Sequence, residues 1–399
     1  MSKTIICPDV HLGRSLIIGK PGIANGLNSR IIDQSKLLDW VLEQTIENNA
    51  GSIIFTGDIC EDSKPDFSLI NIFVSFLKKC EHNSIDVHIV LGNHDLKRTG
   101  SQYISWLDLI DASEISNVHI HKYIDTIYKE DVCFTLLPFR DRRSLNCDTN
   151  ANALAAIAER LPYELADIPN GYDRVLIGHL ALEGAIYVGD EIDDAANELM
   201  CPLDMFNEYD YVIFGHVHKP QVLRKKPYIC HIGSLDISDF GETDHNKIII
   251  LFDTSAKEKL KEIKVPTRPL RKIMITVPSD KDSTDYIIEQ LQAEQQEKSF
   301  KDAIVKIEIK LLDAFVKNSD RALIEKNIYS FGAYYICNIS ESRNITVVPV
   351  EKQNKISNSI APKSAIKIWA DQCSLFANND EKALYIAEAF EIIEEEDYE

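Results

Sequence analysis

Five short blocks of this chain carry side chains that bind metal ions or move protons. They are Asp9 and His11 in Pro8-Asp9-Val10-His11, Asp58 after Gly57, Asn93 with His94 and Asp95 after Gly92, His179 after Gly178, and His216 with His218 after Gly215. Imidazole nitrogen mixed with carboxylate and amide oxygen suits a divalent Mn, Fe or Zn ion. No cysteine stands among them, which argues against a structural zinc site. Asp9, His11, Asp58, Asn93, His179, His216 and His218 make seven ligands, too many for one ion but enough for two that share a carboxylate. Each block alone has a plainer reading. Asp9-Val10-His11 suits a strand-end turn, Gly57-Asp58 a turn pair, His179 a core histidine, and His216-Val217-His218 a polar loop. Asn93-His94-Asp95 resists this, because three polar groups after a buried run must all find partners. The repeated pattern of Gly followed by ligand favours a site over coincidence.

The elements before these blocks decide whether they can meet. Apolar, β-branched runs predict strands over Lys3–Cys7, Ser52–Thr56, Ile85–Leu91, Arg174–Ile177 and Tyr211–Phe214. Side chains at i and i+2 point the same way in extended chain, so His216 and His218 share a direction. Ligands at strand ends converge on the carboxyl edge of a sheet, where α/β proteins place their sites. A helix capped by Asn28 or Ser29 runs to about Asn48, with Ile32, Leu37, Leu38 and Val41 on its apolar side, and Asp66 starts a second over Phe67–Cys80. Strand alternating with helix predicts parallel neighbours covered by helices. The rhythm then changes to a hairpin of Thr126–Tyr128 and Val132–Leu137, an Ala-rich helix over Ala151–Leu161, and strands over Tyr228–Ile232 and Lys247–Phe252. Residues 1–255 are therefore expected to form one domain with two sheets. The Lys-rich stretch 254–264 is expected to lead into a small α+β unit over 265–350. A polar linker over 351–362 then precedes two helices within 363–399, Ser364–Phe376 and Glu381–Ile393, and an acidic, solvated tail.

Composition narrows the class. At 399 residues the chain is too long for one ordinary core. No uncharged apolar run reaches about 18 residues, so no membrane span is expected. The start lacks a signal-peptide pattern, and nine scattered cysteines suit reduced thiols, which predicts a cytoplasmic protein. A net charge of −20 opposes non-specific nucleic-acid binding unless basic patches are local or metals change the field.

The ordered blocks D-V-H-L-G-R, G-D, G-N-H-D, G-H and G-H-V-H resemble the calcineurin-like metallophosphoesterase superfamily over roughly residues 1–255. The resemblance implies an α/β fold, a four-layer α/β/β/α sandwich. It places Asp9, His11 and His218 on one ion, Asn93, His179 and His216 on the other, and Asp58 between them. His94 then faces the scissile phosphate instead of ligating. Two divalent ions, Mn2+ first and Mg2+ or another ion as alternatives, leave about +2 over two Asp ligands to stabilise phosphoryl transfer. Cys60 stands where nuclease-like relatives often carry an aromatic residue.

Within the superfamily, His11-Leu12-Gly13-Arg14 resembles the opening block of SbcD-type nuclease subunits. Pro266-Thr267-Arg268-Pro269-Leu270 and the unit after it resemble their capping domain. The C-terminal helices, with Trp369 and Phe390 on their apolar sides, occupy the position where such subunits bind the coiled-coil ATPase SbcC. The resemblance implies DNA as substrate, exonuclease action on duplex ends, endonuclease action on single strands, and a homodimer within a heterotetrameric repair and recombination complex. Arg140, Arg142 and Arg143 could touch phosphates or form a solvated loop, and Arg224-Lys225-Lys226 reads as a hairpin turn. The alternatives are a phosphatase or phosphodiesterase acting on small esters and a non-enzymatic scaffold, against which the intact ligand set stands.

Overall fold

The structure is a computed structural model and describes residues 2–23, 25–99, 102–113, 115–188, 198–312, 319–343, 362–372 and 379–396. Two six-stranded sheets form its centre. The first runs in the order Leu260–Lys264, Ile248–Asp253, Lys3–Cys7, Ser52–Phe55, Asp86–Val90, Val118–His121. Its last four strands are parallel, and Ile248–Asp253 lies antiparallel to Lys3–Cys7 with Ile5 opposite Leu251. The central strands are mostly apolar because both of their faces are buried. On the outer face Ile5, Ile53, Phe55 and Ile89 pack against Leu38 and Val41 of helix Ser29–Glu47 and Phe73 and Phe76 of helix Phe67–His82. Both helices begin where their caps predict: the side chains of Asn28 and Asp66 accept from the backbone N–H groups of Arg30 and Ser68.

The second sheet runs Gln221–Lys225, Tyr228–His231, Tyr211–Phe214, Asp173–Gly178, Val132–Leu137, Asp125–Lys129. Helix Asn150–Ala166 covers its outer face through Ala153, Ile157 and Leu161. Between the sheets, Ile6, Ile54 and Val90 meet Phe134, Ile177 and Ile213. Helices, sheet, sheet and helix give the expected four layers. In both sheets the strands that precede the ligand blocks are parallel, so their carboxyl ends open on one rim.

Two expectations change. The Lys-rich stretch after Asp253 contains a strand, Leu260–Lys264, paired antiparallel with Ile248–Asp253. Leu260 and Ile263 pack on opposite faces of the sheet, while Lys261, Glu262 and Lys264 are exposed along its edge. Charges that read as a passage protect an edge from further pairing. The small unit beyond it has three parallel strands, Leu270–Val277, Ile304–Leu311 and Tyr335–Arg343, crossed over by helices Ser283–Glu297 and Arg321–Ser330. It is a parallel α/β arrangement, not a segregated α+β one, with a core of its own around Ile275, Leu291, Ile307 and Ile324. Arg268 ties it to the sandwich, with Nε and Nη2 each 2.7 Å from Asp33 and its guanidinium 3.9 Å over the Tyr334 ring.

Helices Pro362–Gln372 and Asn379–Glu396 pack together. Lys363 and Lys367 lie 5.5 and 5.4 Å over the Phe390 ring, and Lys382 pairs with Asp371 at 2.7 Å. Trp369 remains 41% exposed. Residues 351–361 of the expected linker and 397–399 of the acidic tail lie outside the described residues, while Glu394–Glu396 continue the second helix. No helix among the described residues is long and apolar enough to cross a membrane.

Candidate metal centre

Three of the five ligand blocks turn sharply out of their strands. His11, Asp58 and His216 have φ values of 48°, 48° and 80°, in the left-handed region that side chains other than glycine rarely enter. Such strain gathers at functional sites because packing there overrides backbone preference. The neighbouring glycines leave room for it. Gly57 has φ 126°, and a Cβ there would strike His179 Nδ1 and the Gly92 backbone. A Cβ on Gly215 would strike Asp9 Oδ1 and Thr56 Oγ1.

The seven ligand-type residues come together on the rim in two linked groups. Asp9, His11 and His218 form one, with the Nε2 atoms of His11 and His218 3.0 Å apart. Asp58, His179 and His216 form the other. Asn93 joins the second group, with Oδ1 2.9 Å from His179 Nε2 and 3.0 Å from His216 Nδ1. Asp58 Oδ2 lies 3.1 Å from His179 Nε2 and 3.6 Å from His11 Nε2, between the two groups. His94 joins His11 and Asp58 in a third, overlapping group: its backbone N–H donates to Asp58 Oδ1 at 2.8 Å, and its Nδ1 is 2.6 Å from the Glu61 carbonyl oxygen. It lines a narrow cleft of about 30 Å³ with Arg14, Asn93, Tyr187 and Glu198.

The donor set fits cations. His179 Nδ1 is 2.9 Å from the Thr56 carbonyl oxygen, which can only accept, so Nδ1 carries the proton. Nε2 then faces two oxygens, Asn93 Oδ1 and Asp58 Oδ2, whose lone pairs converge on it. Lone pairs converging from buried groups need a positive charge between them.

Residues 2–220 match the calcineurin-like phosphoesterase family. The chain belongs to that family. Among curated proteins it is similar to the SbcD component of nuclease SbcCD from Staphylococcus epidermidis, 24% identical over 75% of this chain and 77% of that one. The SbcD component from Staphylococcus saprophyticus is 25% identical over 74% and 76%, and that from Escherichia coli K12 is 22% identical over 66% and 68%. This phosphoesterase is thus a metal-dependent hydrolase of phosphate esters.

The phosphoesterase centre has a second layer that motif reading misses. Glu61 Oε2 lies 2.8 Å from His11 Nδ1, Glu198 Oε1 2.9 Å from His216 Nε2, and Glu242 Oε1 3.6 Å from His218 Nδ1. With the Thr56 carbonyl on His179, every ligand-type histidine has an oxygen facing its outer nitrogen, although the Glu242 contact to His218 at 3.6 Å exceeds hydrogen-bond length. That fixes which nitrogen carries the proton and aims the other inward. The Thr56 hydroxyl donates to Asp9 Oδ1 at 2.7 Å. Glu61 is within reach of sequence reading, three residues after Asp58. Glu198 and Glu242 come from loops with no pattern to mark them. The sum of about +2 from ions and aspartates is therefore incomplete, since these three carboxylates join the two aspartates against the four positive charges of two divalent ions.

Protonation reports the same field. Burial alone would lower His179, but Asp58 and Asp9 push it up to about 10. Burial would raise Asp58, and His179 and His94 pull it well below the carboxylate range. Burial would also lower His94, yet Asp58 and Glu61 hold it above its ordinary value. Burial would raise Glu242, while His218 and Lys247 draw it down to about 2. Divalent ions would displace the protons that these carboxylates attract.

Other singled-out residues take plainer roles. Asp95 does not touch His94; it accepts from the N–H groups of Gly92 and Ile59, both at 3.0 Å, and fixes the turn. Cys60 is buried, bridges to Leu12 and packs in the helix-side core, away from the cleft. Arg140 is consumed by the carbonyls of Phe139 and Lys122, so it is structural, whereas Arg142 is exposed. Arg224 pairs with Asp204 beside the hairpin turn expected at Lys225-Lys226.

Proposed function

We propose that this phosphoesterase is a dimetal DNA nuclease subunit of SbcD type, working with an SbcC-like coiled-coil ATPase. The observation that carries the reading is the reach of the similarity. It covers 75% of the chain, well beyond the family match at residues 2–220, and so extends past the sandwich. A small-ester phosphatase needs no such addition.

In this reading Asp9, His11 and His218 hold one ion, Asn93, His179 and His216 hold the other, and Asp58 is shared. When bound, the two ions, Mn2+ or Mg2+, supply positive charge that offsets the charge developing on phosphorus in an in-line displacement. His94 is the general acid. Its Nδ1 is held by the Glu61 carbonyl, which fixes the ring beside the cleft. It gives a proton to the ester oxygen as the P–O bond breaks, while hydroxide, formed as water in the field of bound ions releases a proton to solvent, forms the new bond to phosphorus. Arg14, 3.4 Å from Glu61, faces the cleft and steadies a phosphate oxygen.

The same proposal assigns 265–350 as the cap that positions DNA and the helices within 363–399, through Trp369 and Phe390, as the ATPase-docking element. Two such subunits pair in a heterotetramer in the cytoplasm, which eight free cysteines among the described residues support. An acidic chain leaves the DNA grip to its partner. The test is Mn2+-dependent digestion of end-labelled duplex and of single-stranded circles, with the ATPase present, beside p-nitrophenyl phosphate esters. Hydrolysis of the small esters with all DNA left intact sinks the nuclease reading and favours the small-substrate alternative.

A further inference from the structure

Behind the centre lies a buried ion pair that the mechanism above does not use. Glu242 and Lys247 are 0% and 1% exposed, and Lys247 Nζ is 2.7 Å from Glu242 Oε2. Burying two charges is expensive, and such a pair is weak as a source of stability compared with apolar residues of the same volume. Its contacts suggest another use. Lys247 Nζ also donates to the His218 carbonyl oxygen at 3.0 Å and to Ser234 Oγ at 2.7 Å. Glu242 Oε1 faces His218 Nδ1 at 3.6 Å, and its Oε2 accepts from the Ser238 N–H at 3.0 Å. Ser234 in turn bridges to Asp9, and the Leu235 N–H donates to the Asp9 carbonyl at 2.8 Å. One pair therefore holds the His218 backbone by a hydrogen bond, sets a carboxylate charge 3.6 Å from its ring nitrogen, and reaches the backbone of Asp9 through Ser234.

Asp9 and His218 belong to the same ligand group. The other group is held differently, with His179 on the Thr56 carbonyl and His216 on Glu198. We propose that Glu242 and Lys247 are positioning residues for one ion only, the ion held by Asp9, His11 and His218. The proposal rests on the dimetal reading above. Glu242 fixes His218 with Nδ1 protonated and Nε2 facing the ion, and Lys247 sets the separation between His218 and the Asp9 turn. Both act through other residues and touch neither substrate nor metal.

The test uses the full-length protein, stripped of metal and titrated with Mn2+ by calorimetry, with electron paramagnetic resonance of the loaded forms. Wild type should take up two ions and show the signal of a coupled pair. In Glu242→Gln, one binding phase should weaken by about 10–100-fold, the scale for lost outer-shell partners. The other phase should stay within about 3-fold, because its ligands keep their own outer-shell partners. At limiting Mn2+ the coupled signal should give way to that of an isolated ion. Glu242→Gln leaves Lys247 beside a neutral amide and could unfold the protein. The double variant Glu242→Gln/Lys247→Met removes both charges at similar volume, and should melt at or above the wild-type temperature while keeping the one-ion defect. Two ions at wild-type affinity in both folded variants overturns the proposal, as does equal loss of both ions. Failure of both variants to fold at saturating Mn2+ also overturns it, by assigning the pair to the fold. A wild type that binds no Mn2+ overturns the metal-centre reading itself, a different result from any of these.

Discussion

Replacing His94 with alanine separates chemistry from metal binding. The backbone N–H of residue 94, not its ring, donates to Asp58 Oδ1, so the variant keeps the contact that orients the shared carboxylate. What disappears is the bond from Nδ1 to the Glu61 carbonyl and an edge-on contact with the His11 ring, 4.9 Å between centroids. One net hydrogen bond is worth about 1 kcal/mol, so His94→Ala should fold and stay loaded. Turnover should fall by about 10²–10⁴-fold, the usual contribution of a positioned acid. The fall should depend on the leaving group. A sugar alkoxide needs a proton as it departs, whereas p-nitrophenolate leaves readily without one. Metal content by elemental analysis, together with rates on DNA and on bis-p-nitrophenyl phosphate, tests all three points. Equal losses on both substrates would refute the acid role, and loss of both ions would refute the separation itself.

Three further outcomes follow from the same geometry. Asp58→Asn puts an amide N–H₂ or a neutral oxygen where both ligand groups now meet a carboxylate, so both ions should bind more weakly and activity should vanish in chelator; hydrolysis with no metal by elemental analysis sinks the dimetal reading. Burial, with His121, His119 and Lys129 nearby, pulls His88 down to about 2, far below the ~6.5 of an unfolded histidine. The unfolded chain therefore binds the extra proton below about pH 6.5, and this group's share of stability is lost as pH falls from there towards 2, by at most about 1.4 kcal/mol per unit. Denaturant melts from pH 7 to 5 should show a shallower pH dependence in His88→Gln, and an unchanged slope contradicts the argument. Truncation after residue 350 should leave small-ester hydrolysis near normal but abolish co-purification with the coiled-coil ATPase; unchanged binding removes the C-terminal helices from that role.

The ligand blocks are legible because each breaks a strong local pattern at a fixed place. An apolar run stops, a glycine follows, and a side chain with metal-binding chemistry comes next, as in Phe214-Gly215-His216. The strands themselves are legible because burial on both faces makes their centres apolar runs, as in Ile5-Ile6-Cys7 and Ile53-Ile54-Phe55. Where burial is one-sided or charged, the signal fades. Val118–His121 escapes notice because the face it turns towards the second sheet carries His119 and His121, not aliphatic residues. Leu260–Lys264 reads as a passage because its edge is lined with lysine and glutamate. Parallel pairing in the unit after Pro269 depends on which strand lies beside which, and alternation within one strand carries no information about that. Glu198 and Glu242 are invisible for a related reason, since their role arises only when distant loops close over His216 and His218.

Those carboxylates change how the centre works as a whole. Among the described residues lining the cleft, Arg14 is the one permanent cation, and Glu61 already shares it. Five carboxylates and a chain of net charge −20 would repel a phosphodiester. Approach of substrate is therefore tied to metal loading, because two divalent ions would offset most of that charge, four positive against five negative. The same carboxylates orient the histidine rings towards the ions, which strengthens the grip on them. His94 responds to both. Asp58 and Glu61 hold its proton in the empty field, and ions beside Asp58 weaken that hold.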